Sequence, residues 1–378
     1  MWISALQLNS FRNYDQLSVS LKPGINLFIG ENGAGKTNLV EACVFLSDLQ
    51  SHRANSYLPL IAQGRDSAQL SLTVTAGTRE IQVATELNRS KPNRYSLNGN
   101  LKRRSSDLVG AVQVVVFSPE DLDLVRRDPA DRRGFLDTAV IQLKPRMAGV
   151  KSDYERVLKQ KNALLKSARS TSTPDLTTLD IWDDQLVAFG SELIEARLEL
   201  ISLLEPLIQD FYQKLAGSKD LIGLGLAASI ENPEEDGTET LQSLTRSEIS
   251  ERFHSRISEQ RSKELERGIS LVGPHRDELL ITKSGLPARS HSSQGEAWSI
   301  ALGLKLALAH LIRERSQQGD PVLVLDDVFA VLDSGRRNRL VEYVSANEQV
   351  LITSADPDQM PNLDIASTFR VAGGVVDA

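Results

Sequence analysis

The chain has one cysteine, Cys43, among its 378 residues. A single thiol excludes an internal disulfide framework and any metal site built from several cysteines, and it fits a reducing compartment. No run of about 18 apolar residues occurs, so no membrane span is expected. The opening "MWISALQLNSFRNYD" lacks the basic start and apolar stretch of a secretion signal. These absences point to a cytoplasmic protein with no membrane partner. Net positive charge is lacking too: 43 Lys and Arg stand against 50 Asp and Glu, a net of −7. That balance argues against a bulk polyelectrolyte binder. No internal repeat is visible.

What remains is an ordinary globular composition, 40% hydrophobic and 25% charged. The length suits two domains better than one core. Charge is spread unevenly. Residues 1–170 carry 24 Lys and Arg against 16 Asp and Glu, and the remainder carries 19 against 34. Basic clusters sit at "LKRRSS" (Leu101–Ser106), at "RRDPADRR" (Arg126–Arg133), and at Lys144 with Arg146. Any nucleic-acid contact would use such patches; the plainer alternative is that they are solvated faces.

Along the chain, "ISALQLNSF" alternates as a strand, and "GINLFIG" is a short buried strand entering a glycine loop. "TNLVEACVFLSDL" has helical spacing, residues 68–98 hold short antiparallel strands, and "AVQVVVFSP" is another buried strand. From residue 121 to 268 the pattern is mostly helical. Two long amphipathic helices flank the polar loop "STSTPDLTT" and predict an antiparallel hairpin, either a domain core or a short coiled-coil arm. A second polar loop, "ENPEEDGTET", lies at 231–240. Strand character returns at "ISLVGPHRDELLITKSG", followed by the apolar helix "SSQGEAWSIALGLKLALAH", the strands "DPVLVLDD" and "EQVLITSAD", and a final strand pair near "TFRVAGGVV". Both chain ends are therefore α/β, with a mainly helical insertion between them.

"GENGAGKT" is a phosphate loop comprising Gly30, Glu31, Asn32, Gly33, Ala34, Gly35, Lys36 and Thr37. Glycines let the backbone wrap phosphates with inward N–H groups; Lys36 would neutralise the outer phosphates of ATP or GTP, and Thr37 would bind Mg²⁺. The buried strand Val322–Leu325 ends in two acids. Asp326 would hold Mg²⁺ through water, and Asp327 would orient or deprotonate the attacking water. Asp326 lies 290 residues after Lys36, so a large insertion must split one nucleotide-binding sheet. That spacing excludes small kinases and GTPases. "SSQGE" opens a second helix fit for an anion, because free N–H groups and a positive dipole end meet there.

In order and spacing these motifs resemble the RecF family, bacterial DNA-repair ATPases of the ABC/SMC type, over nearly the whole chain. The resemblance rests on "LNSFRNYDQLSVSLKPGINLFIGENGAGKTNLVEA", "SHR" at Ser51–Arg53, "VVFSPEDLDLVRRDPADRRGFLD", "GPHRDEL" at Gly273–Leu279 and "DDVFAVLD" at Asp326–Asp333. It implies an α/β fold, an ABC-type P-loop ATPase head made from residues 1–120 and 269–378, with a helical lobe at 121–268. It implies that Ser293 and Gly295 are signature residues binding the γ-phosphate of ATP held by a second chain, so that two chains form an ATP-dependent homodimer. Arg12 matches a phosphate-contacting residue and Asp333 the D-loop acid of the dimer seam. Thr353 and Ser354 fall where transporters place a switch histidine. Asp327 replaces a glutamate usual in ABC ATPases and is one methylene shorter, which predicts slow turnover. "GEAWS" departs from the Gln, Arg and Thr common in relatives. His275, without a second His or Cys nearby, is expected in a structural or phosphate-facing role.

The family's role implies ATP-dependent, largely backbone-directed binding of double-stranded DNA at gaps and junctions, with RecR and RecO as partners in loading RecA. A weak, DNA-stimulated ATPase is expected. The rivals are a transporter's ATPase subunit, a structural DNA clamp and an ATPase–nuclease fusion. The insertion is too large for the first and too short for the second, since 60 helical residues reach only about 90 Å. The chain ends too soon after its last strands for the third.

Overall fold

Alternating apolar and polar residues at the start of the chain build a curved antiparallel sheet. Its strands are β1 (Trp2–Phe11), β2 (Tyr14–Ser20), β4 (Ser67–Ala76), β5 (Arg79–Asn88), β6 (Arg94–Leu97) and β7 (Asn100–Lys102), in the order β2-β1-β4-β5-β6-β7. These strands belong to a computed structural model that describes residues 1–51, 53–54, 56–170, 176–231, 241, 244–316, 318–356 and 360–377. A second sheet has the order β15-β14-β3-β13-β12-β8, formed by β3 (Gly24–Ile29), β8 (Val114–Phe117), β12 (Val322–Asp326), β13 (Gln349–Ser354), β14 (Ile365–Ala372) and β15 (Val375–Asp377). All pairings in it are parallel except β14 with β15. β8, β12 and β13 are buried along their whole length, which is why their centres read as continuous apolar runs, Val114–Phe117, Val322–Leu325 and Val350–Ile352, rather than as alternation.

Helix α1 (Lys36–Asp48) contacts strands of both sheets, and its residues Leu39–Leu46 are buried nearly all round. Helix α8 (Gln294–Arg315) packs on β8, and α9 (Ser334–Val344) follows β12. By length and composition, α8 is the one helix among the described residues apolar enough to cross a membrane; 78% of its most apolar stretch is buried within the protein.

The chain divides into two compact units. The first is Met1–Leu122, Asp210–Lys219 and Ser292–Ala378; the second is Asp123–Gln209 and Asp220–His291. The second holds α2 (Asp123–Arg126), α3 (Pro129–Leu143), α4 (Met147–Arg169), most of α5 (Leu179–Ala216), α6 (Arg246–Arg267) and α7 (Ala288–His291). α4 and α5 run antiparallel: Lys161 meets Asp183, whereas Tyr154 meets Gly190. The pair is part of a domain core, because α6 packs against it. Lys161 is fully buried between Asp183 of α5 at 2.9 Å and Glu264 of α6 at 2.8 Å.

The stretch at 121–268 is mainly helical and holds one strand among the described residues: β9 (Ile222–Ala227) pairs with β10 (Glu278–Lys283), which pairs with β11 (Leu286–Pro287). The alternating small residues of "IGLGLA" hide this strand; a Cβ on Gly223 would stand 2.6 Å from Thr282 Oγ1. Residues 269–291, expected with the head, pack in the second unit because β10 completes that small sheet. His52, Thr171–Asp175 and Asn232–Thr240, which fall in quoted motifs and loops, lie outside the described residues.

Candidate functional site

The phosphate loop runs from β3 into α1. Gly30 is required by close approach, since a Cβ there would stand 2.2 Å from the Val371 carbonyl oxygen. Gly35 has φ +117°, and its Cβ would meet Asn13 Nδ2 at 2.5 Å. Asn13 Nδ2 donates to Ala34 O at 3.2 Å, and Tyr14 OH donates to Gly35 O at 3.0 Å. Burial pushes the Tyr14 hydroxyl up to about 12, so it stays a neutral donor. No side chain caps α1, which leaves its first N–H groups to an anion. Lys36 is nearly buried; its Nζ donates to Gly30 O at 2.8 Å and Glu31 O at 3.1 Å. Glu31, Asn32 and Gly33 form the exposed rim.

Parallel pairing sets Thr353 of β13 opposite both Phe28 of β3 and Asp326 of β12. The acids thus reach the loop across one intervening strand. Thr37 Oγ1 donates to Asp326 Oδ1 at 3.1 Å, and Thr353 Oγ1 donates to the same oxygen at 2.6 Å. Asp327, at φ +50°, donates its backbone N–H to Thr353 Oγ1 at 3.0 Å. Burial raises Asp326 to about 6; the charges of Asp327 and Glu120 push the same way, and the two threonine hydroxyls oppose them. A buried carboxylate short of positive charge, beside a second hard oxygen on Thr37, fits a divalent cation such as Mg²⁺. Glu120 is a neighbour the sequence reading missed, although "SPED" directly follows β8.

Arg12 belongs to a different network. Its Nε and Nη2 donate to Glu41 Oε2 and Oε1 at 2.9 and 2.7 Å. Glu41 is fully buried on α1, accepts from Ser51 Oγ at 2.5 Å and lies 3.7 Å from Arg53. Arg53 Nη1 donates to Asn38 Oδ1 at 3.1 Å, and Asn38 Nδ2 donates to Asn13 Oδ1 at 2.8 Å. The "FRNY" and "SHR" segments are thereby tied through Glu41 and Asn38 to the phosphate loop. A lone acid inside the apolar "LVEACVF" is the signal that could have revealed the hub.

Gly295 and Asp333 meet at Arg336, and Ser293 opens the helix that carries Gly295. Ser293 caps α8 by accepting from Glu296 N at 3.3 Å, and Glu296 accepts from Ser293 N at 2.7 Å. Ser299 Oγ donates to Gly295 O at 3.0 Å and accepts from Arg336 Nε at 2.9 Å. Asp333 caps α9 by accepting from Arg336 N at 2.9 Å, and it pairs with the Arg336 guanidinium. That N–H first, and the guanidinium after it, hold the Asp333 carboxyl below the usual range. The departures in "GEAWS" thus have local uses: Glu296 closes the cap, Trp298 is buried, and Ser299 receives Arg336.

Several basic residues considered for nucleic-acid contact are engaged inside the second unit. Arg132 is almost fully buried and pairs with Glu278; Arg133 donates to Asp277 O at 2.8 Å; Lys144 pairs with Glu199 and Arg146 with Glu192. Arg103, Arg104, Arg126 and Arg127 are exposed, and so is Arg146 despite its ion pair. In "GPHRDEL", His275 is structural. Its Nε2 faces Ser270 O at 3.3 Å and must donate, so Nδ1 accepts from Tyr154 OH at 2.6 Å. Burial holds His275 down at about 4.

A family profile described as RecF/RecN/SMC N terminal domain matches residues 2–374. The "DNA replication and repair protein RecF" of Clavibacter sepedonicus is 46% identical over 387 residues, covering 100% of this chain and 95% of that protein. The protein of the same name from Streptomyces avermitilis is 44% identical, with 100% of both chains covered. A solved structure of the recombination mediator protein RecF-ATPrS in the RecFOR pathway is similar with a TM-score of 0.89 at 25% identity, covering 100% of this chain and 97% of that one. An Smc head domain from Pyrococcus furiosus shares the fold at a TM-score of 0.52 and 15% identity, covering 100% of this chain and 95% of that one.

Proposed function

Because the chain belongs to the RecF family of ABC/SMC-type ATPases, we propose that it works as an ATP-driven dimer that binds double-stranded DNA at gaps and junctions and helps load RecA. Its general role is that of an ATP-dependent recombination mediator in DNA replication and repair. Two chains associate head to tail, each laying Ser293, Gly295 and Asp333 on the ATP held by the other's phosphate loop. ATP holds this homodimer together, and hydrolysis releases it.

Within each site, the loop N–H groups and Lys36 would hold the phosphates. Thr37 and Asp326 would hold Mg²⁺, which would offset phosphate charge. Thr353 fixes Asp326 and the backbone of Asp327, and Asp327 orients the attacking water. The short reach of Asp327 keeps turnover slow, and DNA stimulates it. Double-stranded DNA at gaps and junctions is the ligand, bound through phosphates; RecR and RecO are the partners, and the cytoplasm is the location.

The observation that supports this most directly is the convergence of Thr37, Thr353 and the buried Asp326, while Ser293, Gly295 and Asp333 form a second, separately braced group. The test is sedimentation of the parent and Ser293→Arg, with and without ATP and Mg²⁺, and with a gapped duplex. The expected result is a mass that doubles with ATP in the parent alone, with DNA affinity that needs ATP and falls steeply with salt. A parent that stays monomeric with ATP and gapped DNA together overturns the composite site.

A further inference from the structure

The two trans-acting elements, the signature start and the D-loop acid, are 38 residues apart in sequence, Gly295 to Asp333. One side chain touches both. The Arg336 guanidinium lies flat on Gly295: a Cβ there would stand 2.8 Å from Nη2, 2.9 Å from Nη1 and 3.0 Å from Cζ. The guanidinium cannot simply swing aside. Its Nε is bonded to Ser299 Oγ at 2.9 Å, that hydroxyl is bonded to Gly295 O at 3.0 Å, and Nη1 is paired with Asp333. The Arg336 backbone N–H also holds Asp333, at 2.9 Å. The Arg336 side chain is 21% exposed and Asp333 54%, so the charge-assisted bond to Ser299 is partly shielded from water while the pair with Asp333 stands at the surface.

We propose that Arg336 is the positioning residue of the trans-acting half of the ATP site, locking the signature start and the D-loop acid into one unit that docks as a piece. This deepens the composite-site reading above and rests on it. Gly295 then has a second reason to be glycine besides close approach to phosphate, because any side chain would pry Arg336 from Ser299 and Asp333. An arginine suits the task and a lysine does not, since one planar fork reaches Ser299 and Asp333 while covering Gly295. The consequence is all-or-none engagement: a chain cannot present Ser293 and Gly295 to a partner's nucleotide with Asp333 out of place.

The test uses the full chain and four variants: Arg336→Ala, Arg336→Lys, Gly295→Ala, and Arg336→Ala combined with Gly295→Ala. The protein concentration at half-dimerisation with ATP and Mg²⁺ is read by sedimentation. Binding of ATP by the dilute monomer is read separately and reports the chain's own phosphate loop. Arg336→Ala should raise the dimerisation midpoint at least about tenfold, the loss expected for two charge-assisted bonds, with monomer ATP affinity unmoved. Arg336→Lys, which keeps the charge, should fall between parent and Ala. Gly295→Ala should lose at least as much as Arg336→Ala, because its methyl also crowds the phosphate, and adding Arg336→Ala to Gly295→Ala should cost little more.

An Arg336→Ala protein that dimerises at the parent's midpoint overturns the proposal, as does a double variant whose effects multiply. If the parent itself fails to dimerise, the composite-site reading falls separately. Amide exchange of the ATP-free monomer then decides the coupling. Faster exchange at both 294–299 and 333–337 in Arg336→Ala supports it, and a change confined to one segment overturns it.

Discussion

Thr353 donates its hydroxyl to Asp326 over 2.6 Å. The same oxygen accepts the backbone N–H of Asp327 over 3.0 Å, so one side chain fixes both acids at the end of β12. Thr353→Val keeps the shape and removes both bonds. It should destabilise the head by about 1–3 kcal/mol, the cost of stranded buried polar groups. ATP hydrolysis should fall more than ATP binding, while Thr353→Ser should keep most of both. Thermal unfolding and single-turnover hydrolysis check this.

Two loop glycines should respond unequally. Gly35→Ala forces a Cβ to within 2.5 Å of Asn13 Nδ2 at φ +117°. It should weaken ATP binding by well over about tenfold. Gly33→Ala meets nothing within 4 Å and carries only the strain of φ +83°. It should cost about 1–2 kcal/mol. Equilibrium titration with ATP ranks the two.

Glu41 is the fully buried partner of Arg12. Glu41→Gln leaves the Arg12 guanidinium without its counter-ion and should cost about 3–5 kcal/mol. Arg12→Ala should cost less, because Glu41 retains Ser51 and Arg53. Denaturant melts separate the two, and a shared loss of ATP affinity would show that the network supports the loop.

The second unit should show two opposing pH effects. His275 is held at about 4 against an ordinary 6.5, so the unfolded chain takes up the proton first and stability rises with pH between those values. Asp277 is raised by burial to about 6 from 3.8, so the unfolded chain releases the proton first and stability falls with pH across that window. Each effect spans roughly 3 kcal/mol at most, and together they nearly cancel. His275→Gln should expose a stability that falls from pH 4 to 6. Asp277→Asn, with Arg197 still paired to Asp137, should expose one that rises. Urea unfolding across that range reads both slopes.

The nucleotide half of the site was legible because its chemistry is local: "GENGAGKT" carries its own geometry, and an apolar strand ending in two acids has few other uses. Arg12 was legible as important but not in its bonding, since its partner Glu41 looks like an ordinary helix residue until α1 is wedged between two sheets. Arg336 left no mark either, because the spacing Asp333–Arg336 is also that of a common surface ion pair, and only the fold lays it on Gly295. β9 was hidden because glycines, poor strand formers, alternate with Ile222, Leu224 and Leu226 where polar residues would mark a strand, and the lobe boundary slipped with it. The basic clusters could not be sorted in advance, because composition cannot tell an exposed arginine such as Arg103 from Arg132, buried against a glutamate.

The strand that leads into the phosphate loop has no neighbour nearby in sequence. Among the described residues β3 pairs with β13 and β14 alone, whose first residues are Gln349 and Ile365. At roughly 5–20 residues per second, a ribosome leaves β3 unpaired for on the order of 15 to 60 s. The second unit, complete by His291, is whole before the head can close. A nascent chain therefore lacks both strands that flank β3, and the sheet behind the phosphate loop stays open until β13 and β14 emerge. The same delay exposes an apolar strand edge for most of synthesis, which makes the newborn protein a natural client for chaperones and ties its yield to how fast its last third is translated.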